Sequence, residues 1–456
     1  MSNIKRTIIL LYIVLVASSL YGCKKFLDAK PDSKLVVPST VGDVQALLDY
    51  YPRVNNFGAS ACESSADNYY LTDADWSALT NPDNQRMYIW NKDHLFTASP
   101  NSWGQLYDVV NIANTSLLSL SSIERSSANA ADWDNAKGQA LYLRSQSFLQ
   151  AAAIWCLAYD PNTASTDLGL PLRLDPDFNK PSVRSSVAET YQQIITDLNT
   201  AIRLLPIKPL QVMRSSKPAA YALLARTYLF MRDYNKAGLY ADSCLQLNNT
   251  LIDYNTLSAT ATFPFKQFNA EVLVENFVPV PPNLSKVRAK IVADLYNSYS
   301  SNDLRKTVFF SKNSDGSFGF KGSYEGSNGL FGGIATDEVY LMRAECTARQ
   351  GNATQAMIDL NTLLKTRYSN KVAYNPFSAA TPNDALNIIL IERRKELLYR
   401  CLRWMDLKRL NKEGANISLT RTVNGQTYIL PSNDLRYALP IPEDVIVLSG
   451  MNQNLR

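Results

Sequence analysis

Histidine is almost missing from this chain: His94 is the only one in 456 residues. A single imidazole gives His-based metal centres and Ser-His-Asp catalysis little to build on. The six cysteines, Cys23, Cys62, Cys156, Cys244, Cys346 and Cys401, form no CxxC pair. Four of them fall on apolar helical faces, which reads as core packing rather than a disulfide framework. An excess of one charge is missing too. The formal charge is +5, and without Lys5 and Arg6 it is +3, from 44 basic against 41 acidic residues. That imbalance is too small to suggest nucleic acid, and no dense Lys/Arg patch carries interleaved aromatics. Past residue 22 no apolar run reaches membrane-spanning length, so no threaded transmembrane segment is expected. Hydrophobic residues at 46% and charged residues at 19% exclude wholesale disorder and suit a chain with a large core.

The start of the chain is distinctive. Lys5 and Arg6 precede an apolar run from Thr7 to Leu20, the architecture of a secretory signal peptide. The run then ends Leu20-Tyr21-Gly22-Cys23. This resembles the bacterial lipobox, with Tyr21 where a small residue is usual. It predicts lipidation of Cys23, and several acyl chains at about 0.8 kcal/mol per buried CH₂ anchor stably. Residues 1–22 are then the leader, 23–40 a lipidated tether holding Pro31 and Pro38, and 41–456 a single domain.

Ser216–Leu247 is the most regular stretch. Leu223, Leu224 and Tyr228, then Ala237, Tyr240, Ala241, Cys244 and Leu245, recur at helical spacing. Arg232-Asp233-Tyr234-Asn235 is a polar break between the two runs. Ser216 caps the first helix, with Pro218 tolerated in the opening turn. Ala225 and Ala237 stand twelve apart, small residues where two helices meet. The layout resembles a tetratricopeptide unit. Ala344 and Ala356 repeat the interval around a Gly351-Asn352 break.

Further helices are expected over Val41–Tyr50 behind Thr40, from Ser99-Pro100 to Ile123, over Ala130–Tyr159, and over Ser186–Leu205. Thr336 caps another, with Asp337 and Glu338 complementing its positive end. Thr381-Pro382 opens Ala385–Tyr399, and Arg400–Leu410 follows. Glu392-Arg393-Arg394-Lys395-Glu396 reads as a helical face held by ion pairs rather than an acid–base cluster. The tail from Tyr437 is Pro-broken and reads as non-helical. Two segments, 52–100 and 248–335, lose periodicity, and long irregular segments are more often functional than idle. Within the second, Glu271–Val280 reads as extended and Ile291–Tyr299 as a short helix. Asp315-Gly316 marks a hairpin turn. The surrounding Asn-Ser-Asp-Gly run lacks the length and terminal Glu of an EF-hand loop.

Six ordered stretches together resemble the SusD/RagB family of Bacteroidetes surface lipoproteins. They are CKKFLDAKPD with VVPSTVGDVQALLD; LYLRSQSFLQAAAIW with LGLPL; ARTYLFMRDYNKAGLYADSCL; EVYLMRAECTARQGNATQAMIDLNTLL; ERRKELLYRCLRWMDLKR; and YALPIPEDVIVLSGMNQN. The resemblance implies a mainly α fold of tetratricopeptide-like hairpins over about 100–159, 186–247 and 336–410, with long irregular loops and minor β. It implies an outer-membrane, lipid-anchored protein that captures glycans or another nutrient for a SusC-like TonB-dependent transporter. It implies no enzyme activity and no cofactor.

Sugar rings present apolar C–H faces on which flat aromatic side chains stack, while amides and carboxylates satisfy the hydroxyls. The irregular segments hold such residues. Trp76, Tyr69, Tyr70 and Asp73 are the first candidates, with Tyr296 and Tyr324 from the second segment. Two other readings compete. Asp67, Asp73 and Asp75 beside Trp76 could supply the carboxylate pair of a glycosidase. The hairpins could form a peptide-binding scaffold, although Ala225 and Ala344 are 119 residues apart.

Overall fold

Helix starts follow local capping chemistry. The computed structural model describes residues 38–456; the leader, Cys23 and the tether as far as Val37 lie outside them. α1 (Val41–Leu48) begins at Thr40, which trades hydrogen bonds with Asp43 in a capping box. α2 (Ser102–Ser121) starts two residues later than Pro100 suggests. Asn101 is the cap, its Oδ1 accepting from the Gly104 amide at 3.0 Å. α3 (Ala130–Trp155) follows, then α4 (Val187–Leu204) behind a Ser186–Glu189 capping box. α5 (Lys217–Met231) and α6 (Tyr234–Leu247) form the expected hairpin, with Ser216 as cap and Arg232 left-handed at φ +63° in the break. α7 (Thr336–Arg349) and α8 (Ala353–Lys365) form its counterpart. α9 (Pro382–Glu396) and α10 (Arg403–Asn411) complete the set. Thr336 is not a cap: it is the first helical residue, and its hydroxyl donates to the Thr250 carbonyl.

α2 packs on α3, α3 on α4, α4 on α5, α5 on α6, α6 on α7, and α7 on both α8 and α9. The frame is therefore continuous in space although 248–335 separates α6 from α7 in sequence. Small residues allow this. Ala225, Ala237, Ala344 and Ala356 are all fully buried. At the α6–α7 crossing, a Cβ on Gly238 would stand 3.0 Å from the Cys346 Cβ. Tyr228 and Tyr240 stack at 5.6 Å, with only 3° between their planes.

Buried apolar side chains fall into two clusters. One fills the helical frame. The second belongs to the irregular segments and includes Tyr69, Tyr254, Phe265, Phe309, Tyr324 and Phe331. Strands among the described residues are short antiparallel pairs. Phe310–Lys312 and Phe318–Phe320 pair around the expected turn, where Gly316 has φ +86°. A second hairpin, Leu419–Val423 with Gln426–Leu430, was not expected. Asn424 and Gly425, both at positive φ, form its turn, and an Asn-Gly pair between alternating residues is the usual signal for one. The tail also differs from expectation. Glu443–Ser449 is helical after Pro442 and stops at Gly450, φ +66°.

Candidate functional site

A buried lattice of ions joins the frame to the irregular segments. The Arg305 guanidinium meets Asp303 at 2.7 Å, Glu392 at 2.5 Å and Glu396 at 3.0 Å. Arg367 meets Glu396 at 2.7 Å and Glu271 at 2.8 Å. Lys395 adds Glu392 at 2.7 Å. Arg226 pairs with Glu338 at 2.6 Å and Arg400 with Asp337 at 3.0 Å. The charge run on α9 is held by ion pairs as expected, and that face is turned inward: Glu392, Arg393, Lys395 and Glu396 are buried. Asp337 and Glu338 likewise serve buried arginines rather than solvent. Burial alone would raise the Glu396 carboxyl, but Arg367 and Arg305 hold it below the usual carboxylate range.

On this base, residues 280–291 form the spine of an open region. Pro281 lines a cavity of about 140 Å³ together with Ser60, Asn81, Asp83, Asn84 and Asn101. Val280, Leu284 and Lys286 line a larger cavity of about 370 Å³, opposite Phe263, Ser323 and Asn328. Further on, Lys290 and Ile291 pair with Tyr70 and Tyr69. Lys290 also bonds Asp75 at 2.6 Å and approaches Asp315 at 3.5 Å. Both irregular segments therefore meet along one strip of chain. Its surroundings mix aromatic faces with amides, hydroxyls and a few charges.

The candidates from sequence divide on burial. Tyr69 is 2% exposed; its hydroxyl donates to the Ser64 carbonyl at 2.7 Å and accepts from Asn283 at 3.0 Å. Tyr324 is 3% exposed and donates to Glu271 at 2.6 Å. Both are internal struts with no face for a ligand, which corrects their place among the contact residues. Tyr70 is 40% exposed and shares a strand face with Lys290. Trp76 is half-buried, its indole N–H donating to the Gln85 carbonyl at 3.3 Å. That holds it on the helix Pro82–Tyr88, whose first turn lines the smaller cavity. Asp73 is exposed and accepts from the Asn424 amide at 2.8 Å. Tyr296 stacks on Phe318 at 3.7 Å. The carboxylates weighed for glycoside hydrolysis are spread over separate partners. Asp67 holds Arg403 at 2.7 Å, Asp75 holds Lys290, and Asp73 holds a backbone amide.

Lys286, Phe263, Ser323 and Asn328 escaped the sequence reading. For Ser323 and Asn328 the signal was the run GSYEGSNGLFGG, too rich in glycine for a helix or an ordinary strand, whereas nothing local marked Phe263 or Lys286. Gly319 shows how tightly the wall is built: a Cβ there would lie 2.0 Å from the Lys286 carbonyl oxygen. Gly319→Val should therefore push the 285–287 strap off the hairpin. The expected cost is about 1–3 kcal/mol, and limited proteolysis should show earlier cutting near Lys286 while the helical frame stays intact.

Comparison with known proteins agrees with this architecture. Residues 25–229 match a family model described as starch-binding, associating with outer membrane, and residues 336–455 match the SusD family model. No curated relative matches the sequence. Among solved structures, a SusD superfamily protein from Bacteroides thetaiotaomicron VPI-5482 superposes with a TM-score of 0.72 at 22% identity, covering 91% of this chain and 100% of its own. One from Bacteroides vulgatus ATCC 8482 gives the same TM-score and identity, covering 91% and 99%. A SusD-like carbohydrate binding protein from Bacteroides vulgatus ATCC 8482 gives 0.66 at 19% identity, covering 91% and 97%. At these identities the structural likeness is one of fold, and membership rests on the two family models that bracket the chain. With its stacked hairpins and looped-out irregular segments, this chain belongs to the SusD/RagB family.

Proposed function

We propose that this protein binds glycans at the cell surface as a lipid-anchored outer-membrane lipoprotein. It hands them to a SusC-like TonB-dependent receptor and does not cleave them. The observation that carries the reading is the strip 280–291. It lines two cavities, of about 140 and 370 Å³, and brings both irregular segments to one region. Aromatic faces, Asn and Ser side chains and isolated charges lie around it. That combination stacks on sugar rings and satisfies hydroxyls, while Asp67, Asp73 and Asp75 are each held by a separate partner. Family membership and a carbohydrate-binding relative of the same fold support the choice of ligand class. Cys23 supplies the anchor, as its sequence context implies.

On this reading Trp76 is the stacking residue, with Tyr70, Asp73 and Tyr296 as further contacts. Trp76→Ala should weaken oligosaccharide binding about tenfold, or about 1.4 kcal/mol. Titration of the purified variant beside the parent protein measures the change. Equal affinities would remove Trp76 from the site.

A further inference from the structure

A third cavity, of about 320 Å³, borders the smaller of the two described above. Its floor is the start of α2, where Trp103 and Tyr107 stack at 4.7 Å and Asn111 adds a half-buried amide. One wall is the loop 172–183, with Asp175, Phe178 and Ser182. The other is the helix Glu443–Ser449, with Val445 and Ser449. Ser102 lines the smaller cavity and Trp103, the next residue, lines this one, so about 3.8 Å of backbone separates the two linings. The tail helix is tied to the same segment. Glu443 Oε1 accepts from the His94 amide at 2.7 Å, and Asp444 Oδ2 accepts from the Ser99 amide at 2.9 Å.

The loop 172–183 is braced to hold one shape. Arg173 cross-links it, donating to the Lys180 carbonyl at 2.6 Å, to Ser182 Oγ at 3.3 Å and to the Asp177 carbonyl. Asp175 accepts from the Asp177 amide at 3.0 Å and pairs with Lys180 at 2.7 Å. The buried Asn114 amide fastens the loop to α2, donating to the Arg173 carbonyl at 2.9 Å and the Asp175 carbonyl at 3.3 Å. Pro176 and Pro181 fix two further backbone angles. On this braced loop Phe178 is 83% exposed. An apolar ring held out to water is unfavourably solvated in the free protein. A ligand that covers it gains that burial without first ordering the loop.

A protein-docking face gathers apolar groups at its centre and polar groups at its rim. Here polar groups stand on the floor and on both walls: Asn111, Asp175 with Ser182, and Ser449. Flat rings with amide, carboxylate and hydroxyl groups among them, around a concave space, suit a sugar ring. The volume also falls in the range of small-ligand pockets.

We propose that this cavity is a second saccharide subsite, so that the protein takes an oligosaccharide chain rather than a single sugar. One ring of the chain packs on Phe178, with Asn111, Asp175 and Ser182 meeting its hydroxyls. Another part of the same chain crosses the start of α2 into the cavity lined by Asn101 and Ser102. The proposal rests on the glycan reading and adds to it a dependence on chain length.

Oligosaccharide pools from partial hydrolysis of plant and microbial glycans, each split into disaccharide and hexasaccharide fractions, test this by calorimetric titration of the full chain. The hexasaccharide of a bound glycan is expected to bind about tenfold more tightly than its disaccharide. Phe178→Ala should bring the hexasaccharide down to the disaccharide affinity. Asn111→Ala, on a different element, should reduce the same advantage. Trp76→Ala, in the first site, should weaken both fractions. Equal affinity of the two fractions for the parent protein would overturn the second subsite. So would a length dependence that survives in F178A and N111A, which would leave the Phe178 rim as a protein-docking face. In both cases glycan binding itself stands. Binding of neither fraction from any pool would overturn the glycan reading and the subsite together.

Discussion

Replacing Glu396 with alanine should lower the unfolding free energy by about 3–5 kcal/mol. Glu396 is fully covered and is shared by Arg305 at 3.0 Å and Arg367 at 2.7 Å. Its removal strands two guanidinia that are themselves 0% exposed. Arg305 keeps Asp303 and Glu392, and Arg367 keeps Glu271, but each loses charge balance in a medium that screens poorly. The damage should reach the ligand region, since Glu271 joins Arg367 to the irregular segment and to Tyr324. Urea unfolding of the variant measures the loss, and a change below about 1 kcal/mol would show that water substitutes for the carboxylate. Acid provides a second readout. Burial opposes ionisation of Glu396, Glu345 and Asp406, but their arginines win and hold them below the ordinary range. Carboxyls depressed in this way stabilise the fold above the ordinary carboxylate range, and the contribution is lost as pH falls through their depressed values. Loss of Glu396 should therefore make the acid limb of the stability profile shallower.

Trp155→Ala is expected to cost about 3–5 kcal/mol. Trp155 is fully buried at the end of α3. Its ring meets Trp103 edge-on at 4.9 Å and Phe96 at 5.6 Å. Its indole N–H donates to the Pro440 carbonyl at 3.1 Å, and its own carbonyl accepts from Asn454 at 2.8 Å. One side chain thus packs the first irregular segment and holds the C-terminal tail across the frame. Truncation removes these ring contacts and leaves a void in the core. Trp155→Phe separates the two roles, keeping most of the packing while losing the bond to Pro440. Urea unfolding should place it between the parent and the alanine variant. Limited proteolysis of both variants should begin in the tail beyond Tyr437.

The helical frame was legible because its determinants are local. Thr40 with Asp43, Ser186 with Glu189 and Thr381 with Asp384 are capping pairs three residues apart, and the twelve-residue alanine intervals mark the crossings. The ion lattice was not legible, because Arg305 and Arg367 reach Glu396 from 91 and 29 residues away. Neighbour rules along α9 therefore gave ion pairing but not the distant partners. The Glu443–Ser449 helix gave no periodic signal since none of its residues is buried. The Asn424-Gly425 turn was readable and passed over. For the proposed ligand region, aromatic richness could not separate Tyr69 and Tyr324, which are struts, from Tyr70, which is exposed. Burial is decided by what packs across from a residue, and period-two or helical patterns do not carry that information in short irregular segments.

Titration of the purified protein with oligosaccharide pools, with product analysis of each mixture, tests the central claim most directly. Saturable binding to at least one pool, with the oligosaccharides recovered intact, is the expected result. No binding to any glycan pool, or the appearance of shortened products, would contradict it.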